Sequence, residues 1–269
     1  MVDRNWQAGS RVSVLPAALL DVLRPSARTA PGERVYAVGD VHGCSDLLAA
    51  LLERIVADNR TRPAATTHIV LLGDLINKGP DTRGVLELIR AWPHADIMLR
   101  LLRGNHEQVF LGALSGRLDQ CRQCHIMGGR ATVMSYGISL DQYAGWTVEE
   151  LAQHLPQIIP APHRDLLADA SLAWSNGDYV FAHAGWQDGA AMAEQSEADL
   201  LWTRRAYRPM TRGSRTALVH GHANLAEPFN GRTRICVDTT AHASGILTAV
   251  GLEAERRWFI DTSAAALRS

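Results

Sequence analysis

The sequence has little lysine, few aromatic residues and almost no net charge. Lys78 is the single lysine among 269 residues, and arginine supplies the other basic side chains. Aromatic residues make up 6% of the chain and the formal net charge is −1, so the basic surplus typical of nucleic-acid-binding proteins is missing. No apolar run is long enough to span a membrane. We therefore expect neither nucleic acids nor membranes among its partners.

Cysteine is scarce as well, with four residues: Cys44, Cys121, Cys124 and Cys236. A chain of this length can bury a sizeable core without disulfides. Its first residues lack the basic segment, apolar segment and cleavage site of a signal peptide. We therefore expect a cytoplasmic protein with reduced thiols. Cys121, Cys124 and His125 have the spacing of half a zinc site, but no second cysteine pair follows, which leaves metal binding there open.

The chain divides near residue 33. Residues 1–33 are predicted to form a peripheral N-terminal segment, with an amphipathic helix over Pro16–Leu23 and a linker over Pro25–Gly32. Residues 34–269 are predicted to form the catalytic domain, which begins with strands at Arg34–Val38, His68–Leu72 and Ile97–Leu102 and helices at Ser45–Asp58 and Asp81–Trp92. This βαβαβ order predicts a parallel sheet with crossover helices.

The remainder of the domain is less regular. Residues 107–175 are predicted to be mostly helical and loop, with prolines that break the later part. Strand patterns return near the C-terminus, at Tyr179–Ala182, Ala217–His220, Arg234–Val237, Gly245–Leu252 and Arg257–Ile260.

Five predicted strands are each followed by polar residues beside a glycine. The segments are Gly39-Asp40-Val41-His42-Gly43, Gly73-Asp74, Gly104-Asn105-His106-Glu107, His183-Ala184-Gly185 and His220-Gly221-His222. Ligand sites of α/β proteins gather at the ends of strands, and glycine lets the backbone turn sharply there. One such segment alone is explained equally well as a turn or a structural histidine. Five in succession favour a shared site.

The side chains in these segments are carboxylates, an amide and imidazoles. This oxygen and nitrogen donor set suits Mn, Fe, Zn, Co or Ni better than Mg. Asp40 and His42 alternate along an extended segment and can face one ion, while a carboxylate such as Asp74 can bridge two ions. Two ions about 3.5–4 Å apart would hold a phosphoryl group and generate hydroxide at neutral pH. The pattern therefore predicts a two-metal phosphoesterase, with Mn as the first expectation.

The motifs GDVHG, GDLINKG, LLRGNHE, FAHAG and VHGH resemble, in order, the signature blocks of the phosphoprotein phosphatase (PPP) family, above all of its bacterial members. MGGRATVMSYG, DLLWTR and VDTTAHASGILTAVGLE add to the resemblance, which extends from Arg34 to Leu252. It implies the metallophosphoesterase fold, an α/β sandwich of two mixed sheets flanked by helices.

The resemblance also implies residue roles. The first metal would be held by Asp40, His42 and Asp74, and the second by Asp74, Asn105, His183 and His222. His106 would be the general acid that protonates the leaving oxygen. Arg204 matches a phosphate-binding arginine.

One pair departs from the family pattern, because Asn77-Lys78 stands where most PPP phosphatases have Asp-Arg. Asn77 can accept a hydrogen bond from His106 but adds no charge, and Lys78 offers a compact charge without the bidentate fork of arginine. Changes at this pair also occur in the similar symmetrical diadenosine tetraphosphatases. A nucleotide or phosphate leaving group is less basic than a serine alkoxide and needs less protonation by His106. The Asn77-Lys78 pair therefore leaves phosphoanhydrides open as substrates beside phosphomonoesters.

Three functions follow from these observations. The first is hydrolysis of phosphomonoesters, in the manner of a serine/threonine protein phosphatase that acts on phosphorylated proteins or small phosphate compounds. The alternative is hydrolysis of dinucleoside polyphosphates or another phosphoanhydride, for which Tyr136, Tyr143 and Trp146 could stack on adenine if they are not core residues. A non-catalytic scaffold is the third, and the complete set of ligand residues argues against it.

Overall fold

Two five-stranded sheets form the centre of the protein. The computed structural model describes residues 26–187, 189–203 and 215–263. The strands are β1 (Glu33–Val38), β2 (Thr66–Leu71), β3 (Ile97–Leu101), β4 (Ala173–Asn176), β5 (Tyr179–Ala182), β6 (Ala217–His220), β7 (Phe229–Asn230), β8 (Arg234–Cys236), β9 (Thr248–Glu253) and β10 (Arg256–Asp261). The predicted helix over Pro16–Leu23 and the side chain of Arg204 lie outside the described residues.

The first sheet has the strand order β10-β9-β1-β2-β3. β1, β2 and β3 are parallel, as the βαβαβ pattern predicts, while β9 and β10 join as an antiparallel hairpin. β9 is shorter than the predicted strand Gly245–Leu252, because Gly245 adopts a left-handed conformation at the end of a short helix and the strand begins at Thr248. The sheet is therefore mixed.

The second sheet has the order β4-β5-β6-β8-β7. β5, β6 and β8 are parallel, and β4 and β7 pair antiparallel at its edges. Both edge strands are absent from the sequence prediction, since β4 has four residues, β7 has two, and neither alternates over a useful length.

The two sheets face each other across an apolar interior. Along β1, Val35 and Ala37 point into this interior beside Phe181 and Val219, whereas Tyr36 and Val38 point to the opposite face and pack under the helices. β1 is thus covered on both faces, which explains why its sequence is almost continuously apolar.

Helices pack on the outer faces of both sheets, and most of them cover that of the first. They are α1 (Ser45–Arg60), α2 (Thr82–Arg90), α3 (Asn105–Leu114), α4 (Leu118–Ile126), α5 (Gly129–Ser135), α6 (Leu140–Ala144), α7 (Val148–Ile158), α8 (Ala161–Ala168), α9 (Glu197–Trp202) and α10 (Ala241–Ser244). The buried side of α1 has a helical period, with apolar residues at Leu48, Leu51, Leu52, Ile55 and Val56. Within the described ranges, no helix has both the length and the apolar character needed to cross a bilayer.

Residues 26–32 contact the sandwich before β1 begins. Ala27 and Thr29 are buried, and the backbone N–H of Thr29 donates to the carbonyl of Ala254 at the β9–β10 turn. The end of the predicted linker is therefore attached to the domain.

Candidate metal centre and active site

The polar segments meet at the carboxyl ends of parallel strands. Asp40 and His42 follow β1, Asp74 follows β2, and Asn105 and His106 form the first turn of α3 after β3. From the second sheet, His183 follows β5 and His222 follows β6. The two sheets thus contribute to one cluster, as the strand-end pattern predicts.

Asp74 lies at the centre of this cluster. Its Oδ2 is 3.5 Å from Nε2 of His42 and 3.7 Å from Nε2 of His106, and its Oδ1 is 3.4 Å from Nε2 of His183. One carboxylate therefore touches donor groups from both sheets, which is the position required of a ligand that bridges two ions.

The side chains of Asn105, His183 and His222 are also in close contact with one another. Nε2 of His183 lies 2.9 Å from Oδ1 of Asn105 and 3.1 Å from Nδ1 of His222. Asp40 lies beside this group, since both of its oxygens accept the backbone N–H of His222 at 3.1–3.2 Å. Two sets of three donors, His42–Asp74–His106 and Asp74–His183–His222, each lie within 4.8 Å and could hold an ion.

Hydrogen bonds to backbone carbonyls fix the orientation of two histidine rings. Nδ1 of His42 donates to the carbonyl of Ile76 at 2.9 Å, and Nδ1 of His183 donates to the carbonyl of Leu72 at 3.0 Å. Each ring then presents an unprotonated Nε2 to the cluster, which is the form that binds a metal ion.

Several of these residues have an unusual backbone conformation. His42, Asp74 and His222 have φ values of 44°, 50° and 62°, in the left-handed region that non-glycine residues seldom adopt. Such conformations typically cost about 1–3 kcal/mol each and persist where neighbouring contacts enforce them. A Cβ on Gly221 would collide with the carboxylate of Asp40, so glycine is required beside that ligand.

Glu107 holds the backbone around Asp74 in place, although the sequence predicts no role for this residue. It is completely buried. Its Oε2 accepts the N–H groups of Asp74 and Gly104 at 2.8 and 2.7 Å, and its Oε1 accepts that of Leu75 at 2.8 Å. Glu107 is the third residue of α3, and a carboxylate at that position often accepts backbone N–H groups at the start of the helix. This position in the sequence could have indicated its role.

The cluster places two carboxyl groups, those of Asp40 and Asp74, beside histidines in a buried environment. Burial raises the pKa of Asp74 to about 7, and burial together with the charges of Asp238 and Asp74 raises the pKa of Asp40. Burial lowers the pKa of His183 to about 4, so its ring stays neutral at pH 7. Carboxylates that resist ionisation beside neutral imidazoles form a donor set that bound cations would stabilise. The residues present therefore fit divalent metal ions.

Comparison with known proteins identifies the family. Residues 33–239 match the calcineurin-like phosphoesterase family. The chain belongs to this family. It is a metal-dependent phosphoesterase, and the resemblance of its motifs to PPP phosphatases is confirmed.

Two groups of relatives carry different names. Serine/threonine-protein phosphatase 1 of Salmonella typhimurium is 28% identical over 226 residues, which cover 81% of this chain and 92% of that relative. The symmetrical bis(5'-nucleosyl)-tetraphosphatase of Legionella pneumophila is 38% identical, but only over 81 residues, which are 30% of this chain and 26% of that relative. The names thus leave the substrate of this phosphoesterase unresolved.

Solved structures support the metallophosphoesterase fold. A protein provisionally described as a diadenosine tetraphosphatase aligns with a TM-score of 0.59 and 19% identity over 88% of this chain and 99% of that one. A serine/threonine phosphatase from Saccharomyces cerevisiae aligns with a TM-score of 0.52 and 13% identity over 91% of this chain and 86% of that one. The predicted sandwich of two mixed sheets is confirmed.

The contact between Asn77 and His106 differs from the sequence prediction. Nδ2 of Asn77 lies 2.9 Å from Nδ1 of His106, while its Oδ1 accepts the hydroxyl of Thr132 at 2.7 Å. Asn77 is thus oriented as a donor to His106 and not as the predicted acceptor, because Thr132 on α5 engages the amide oxygen. In this arrangement the proton of the neutral His106 ring resides on Nε2, the nitrogen that faces Asp74.

Lys78 extends into the cluster. Its Nζ lies 2.8 Å from Nε2 of His42, and its backbone has a left-handed φ of 61°. His242, another residue without a predicted role, packs edge-on against His42 with ring centroids 5.0 Å apart. The segment VDTTAHASG was part of the family resemblance, but its pattern did not indicate that this histidine would touch a predicted ligand.

The cysteines and aromatic residues noted in the sequence lie away from the cluster. Cys121 and Cys124 are buried in the helical layer, and within the described residues neither belongs to a group of side chains that could hold a metal ion. Tyr143 and Trp146 line a separate cavity of about 220 Å³, and Tyr136 bonds to His163. Tyr143 is a core residue of the helical layer, and Tyr136 and Trp146 pack partly buried against that core. The suggestion that these rings stack on adenine at the active-site rim is therefore not supported.

The cluster opens into a cavity of about 460 Å³. The predicted ligands Asp40, His42, Asp74, Asn105 and His222 line its floor together with Lys78 and His106, and the lining is completed by Gln123, Ile126, Met127, Gly128, Trp202 and Asn224. A larger groove of about 980 Å³ runs between α1 and α2, but it is lined by none of the predicted ligands. The smaller cavity is therefore the candidate active site.

Proposed function

We propose that this protein hydrolyses phosphomonoesters in the manner of a serine/threonine protein phosphatase, using two divalent transition-metal ions, with Mn as the first candidate. The observation that carries the proposal is the position of Asp74, whose two carboxylate oxygens lie 3.4–3.7 Å from histidines of both sheets. The similarity to serine/threonine-protein phosphatase 1, which extends over 81% of the chain, supports the choice of substrate class.

The ligands would divide between two ions that share Asp74. Asp40 and His42 would complete the first site, and Asn105, His183 and His222 would complete the second. Ions bound there supply positive charge to the phosphoryl oxygens and lower the pKa of water, so that a nucleophile forms at neutral pH.

His106 is proposed as the group that protonates the leaving oxygen. Its Nε2 faces Asp74 at the edge of the cavity floor, so a phosphate bound over the cluster would bring its leaving oxygen close to this nitrogen. Proton transfer from such a side chain typically contributes about 10²–10⁴-fold to the rate.

Asn77 would limit the strength of this acid. In the observed orientation its Nδ2–H bonds to Nδ1 of neutral His106, and a proton on Nδ1 would face that N–H group. Rotation of the amide by 180° would turn its oxygen to the ring and its nitrogen to Thr132, whose hydroxyl can accept. Unlike a carboxylate, neither orientation adds a charge that favours protonated His106.

Lys78 and Arg204 are proposed to bind the phosphate. Lys78 already places its ammonium group against the cluster, where it would meet a phosphoryl oxygen as a single charge. Arg204 lies outside the described residues, and its role stays a prediction from the DLLWTR motif.

Hydrolysis of dinucleoside polyphosphates is the second candidate. The donor orientation of Asn77 favours it, because a nucleotide leaving group is far less basic than a serine alkoxide and needs less protonation. The match to a tetraphosphatase over 81 residues agrees with this alternative.

The deciding experiment compares a phosphoserine peptide, nitrophenyl phosphate and diadenosine tetraphosphate as substrates of the purified protein with added Mn. We expect metal-dependent turnover of the first two, with the higher kcat/KM for the peptide. A kcat/KM for diadenosine tetraphosphate above that of every phosphopeptide would replace the first proposal by the second. Absence of turnover on all three would contradict both.

A further inference from the structure

Asp238 is a buried carboxylate near the metal cluster, and it belongs to neither set of three donors among the described residues. It follows β8, at the same end of the second sheet as His183 and His222, and is 1% exposed. Burial and then the charge of Asp238 raise the pKa of Asp40, so the two carboxylates are neighbours. Such a pair is unfavourable in a buried place unless hydrogen bonds offset the cost.

Both oxygens of Asp238 accept backbone N–H groups, one from each of two loops. Oδ2 accepts the N–H of Asn224 at 2.6 Å, in the loop after β6, and Oδ1 accepts the N–H of Thr240 at 2.9 Å, immediately before α10. The backbone carbonyl of Asp238 also accepts the N–H of Leu225 at 3.1 Å. One residue therefore binds two loops at this edge of the second sheet.

The loop after β6 carries the predicted ligand His222. His222 and Asn224 have left-handed φ values of 62° and 50°, a conformation that persists where neighbouring contacts maintain it. The N–H of His222 donates to Asp40 at 3.1–3.2 Å, and that of Asn224 donates to Asp238. Two carboxylates thus hold the backbone of this loop, and only Asp40 is a predicted ligand.

The loop before α10 leads to His242, whose ring packs edge-on against His42 with centroids 5.0 Å apart. Thr240, which donates to Asp238, has a left-handed φ of 57°, and a β-branched residue seldom adopts this conformation. The same carboxylate therefore holds a segment that supports a ligand of the first proposed site and a segment that carries a ligand of the second.

Glu107 has a similar arrangement in the first sheet. Both of its oxygens accept backbone N–H groups around the predicted ligand Asp74. Among the described lining residues of the active-site cavity, neither Glu107 nor Asp238 is present. Asp238 can therefore affect catalysis only through the residues that it holds in place.

We propose that Asp238 is a positioning residue of the metal centre, which acts through its hydrogen bonds to the loops of His222 and His242. This inference rests on the proposed two-metal site. Its main effect belongs to the second ion, because His222 is itself a predicted ligand of that ion, whereas His242 only supports His42. Hydrogen bonds that orient metal ligands typically contribute about 10–100-fold to metal affinity.

The test is a calorimetric titration of the purified protein with Mn, for the wild-type protein, Asp238→Asn and Asp178→Asn. Asparagine at position 238 would place an NH₂ group against a backbone N–H that it cannot accept. We expect the wild-type protein to bind two ions per chain. Asp238→Asn should bind one ion with nearly the wild-type affinity and the other about 10–100-fold more weakly.

Asp178→Asn is the matched control. Asp178 lies immediately before β5, at the opposite end of the same sheet, where Oδ2 accepts the backbone N–H of Arg28 at 3.0 Å. This variant should bind both ions as the wild-type protein does. Wild-type affinity for both ions in Asp238→Asn would overturn the inference alone, and so would an equal loss in Asp178→Asn, which would reflect general destabilisation. Fewer than two ions in the wild-type protein would contradict the two-metal proposal itself.

Hydrogen exchange of the wild-type protein tests the same contacts without a substitution, and therefore does not depend on whether Asp238→Asn folds. With NMR detection, the amide protons of Asn224 and Thr240 should exchange as slowly as those of the adjoining strands, both before and after Mn is added. Exchange of both amides at the rate of an unprotected loop would overturn the proposal.

Discussion

The residues of the metal cluster are fixed by hydrogen bonds among buried groups, whereas Ile126, which ends α4 and lines the same cavity, is 81% exposed. On the floor, left-handed backbone at His42, Asp74 and His222 is maintained by contacts that leave those side chains little freedom. Trp202, which lines the cavity from α9, is held by a hydrogen bond from its Nε1 to Oε1 of Gln108. The proposed metal ligands thus lie in the buried, hydrogen-bonded part of the cavity, and the exposed side chain of Ile126 lies outside that part.

The largest effect is expected from Asp74→Asn, which tests whether the floor acts through a shared ligand. Replacement of one carboxylate oxygen by an amide NH₂ removes the negative charge between the proposed metal sites, and activity should be abolished. Asp46→Asn, at an exposed acidic residue of α1, should leave activity unchanged. The measurements are kcat with saturating Mn and the bound metal per chain. Full activity in Asp74→Asn would contradict the two-metal proposal.

Next in size is His106→Asn, which separates proton donation from metal binding. With alkyl phosphates the loss should reach about 10²–10⁴-fold, and with phenyl phosphates of acidic phenols it should be much smaller. The bound metal per chain should not change. A series of phenyl phosphates with graded leaving-group pKa measures the difference, and equal losses across the series would reject the general-acid role.

Glu107→Gln tests whether the fixed backbone around Asp74 contributes to metal affinity and to stability. Both oxygens of Glu107 accept backbone N–H groups, so either orientation of the glutamine amide places its NH₂ against an N–H. We expect a loss of about 10–100-fold in metal affinity and a decrease of about 1–3 kcal/mol in the free energy of unfolding. Titration with Mn and urea denaturation measure the two effects.

Glu53→Gln, at an exposed glutamate of α1, is the control for that experiment. It should change neither quantity. If Glu107→Gln also retains wild-type affinity and stability, the order of the floor does not depend on this buried carboxylate.

The smallest effect is expected from Asn77→Asp combined with Lys78→Arg, which restores the pair common in PPP phosphatases. A charged acceptor stabilises protonated His106 by about 1 kcal/mol more than an amide, so turnover of phosphoserine peptides should rise roughly fivefold relative to diadenosine tetraphosphate. The ratio of the two kcat/KM values is the readout. A flat or inverted ratio would show that this pair does not adjust leaving-group preference.

The convergence of the predicted ligands was accessible from the sequence because the pattern behind it is local, whereas their roles stay predictions. Each predicted ligand follows a short apolar strand and lies within two residues of a glycine. Parallel strands then bring these ends together, β1–β3 in the first sheet and β5 and β6 in the second. The orientation of Asn77 was not accessible in this way, because Thr132 on a distant helix determines it. The position of Ile126 at the cavity was equally hidden, since periodicity marks a residue as exposed or buried but does not show which cavity it borders. The cytoplasmic location and the identity of the metals stay predictions.

The scarcity of lysine has a practical consequence for solution studies. Since Lys78 is the single lysine and its amine lies 2.8 Å from His42, reductive methylation with ¹³C-formaldehyde would place an isotope label at one side chain, apart from the chain's α-amino group. The resulting NMR resonance would report directly on the active site, without mutation, as metal ions and phosphate analogues are titrated into the protein.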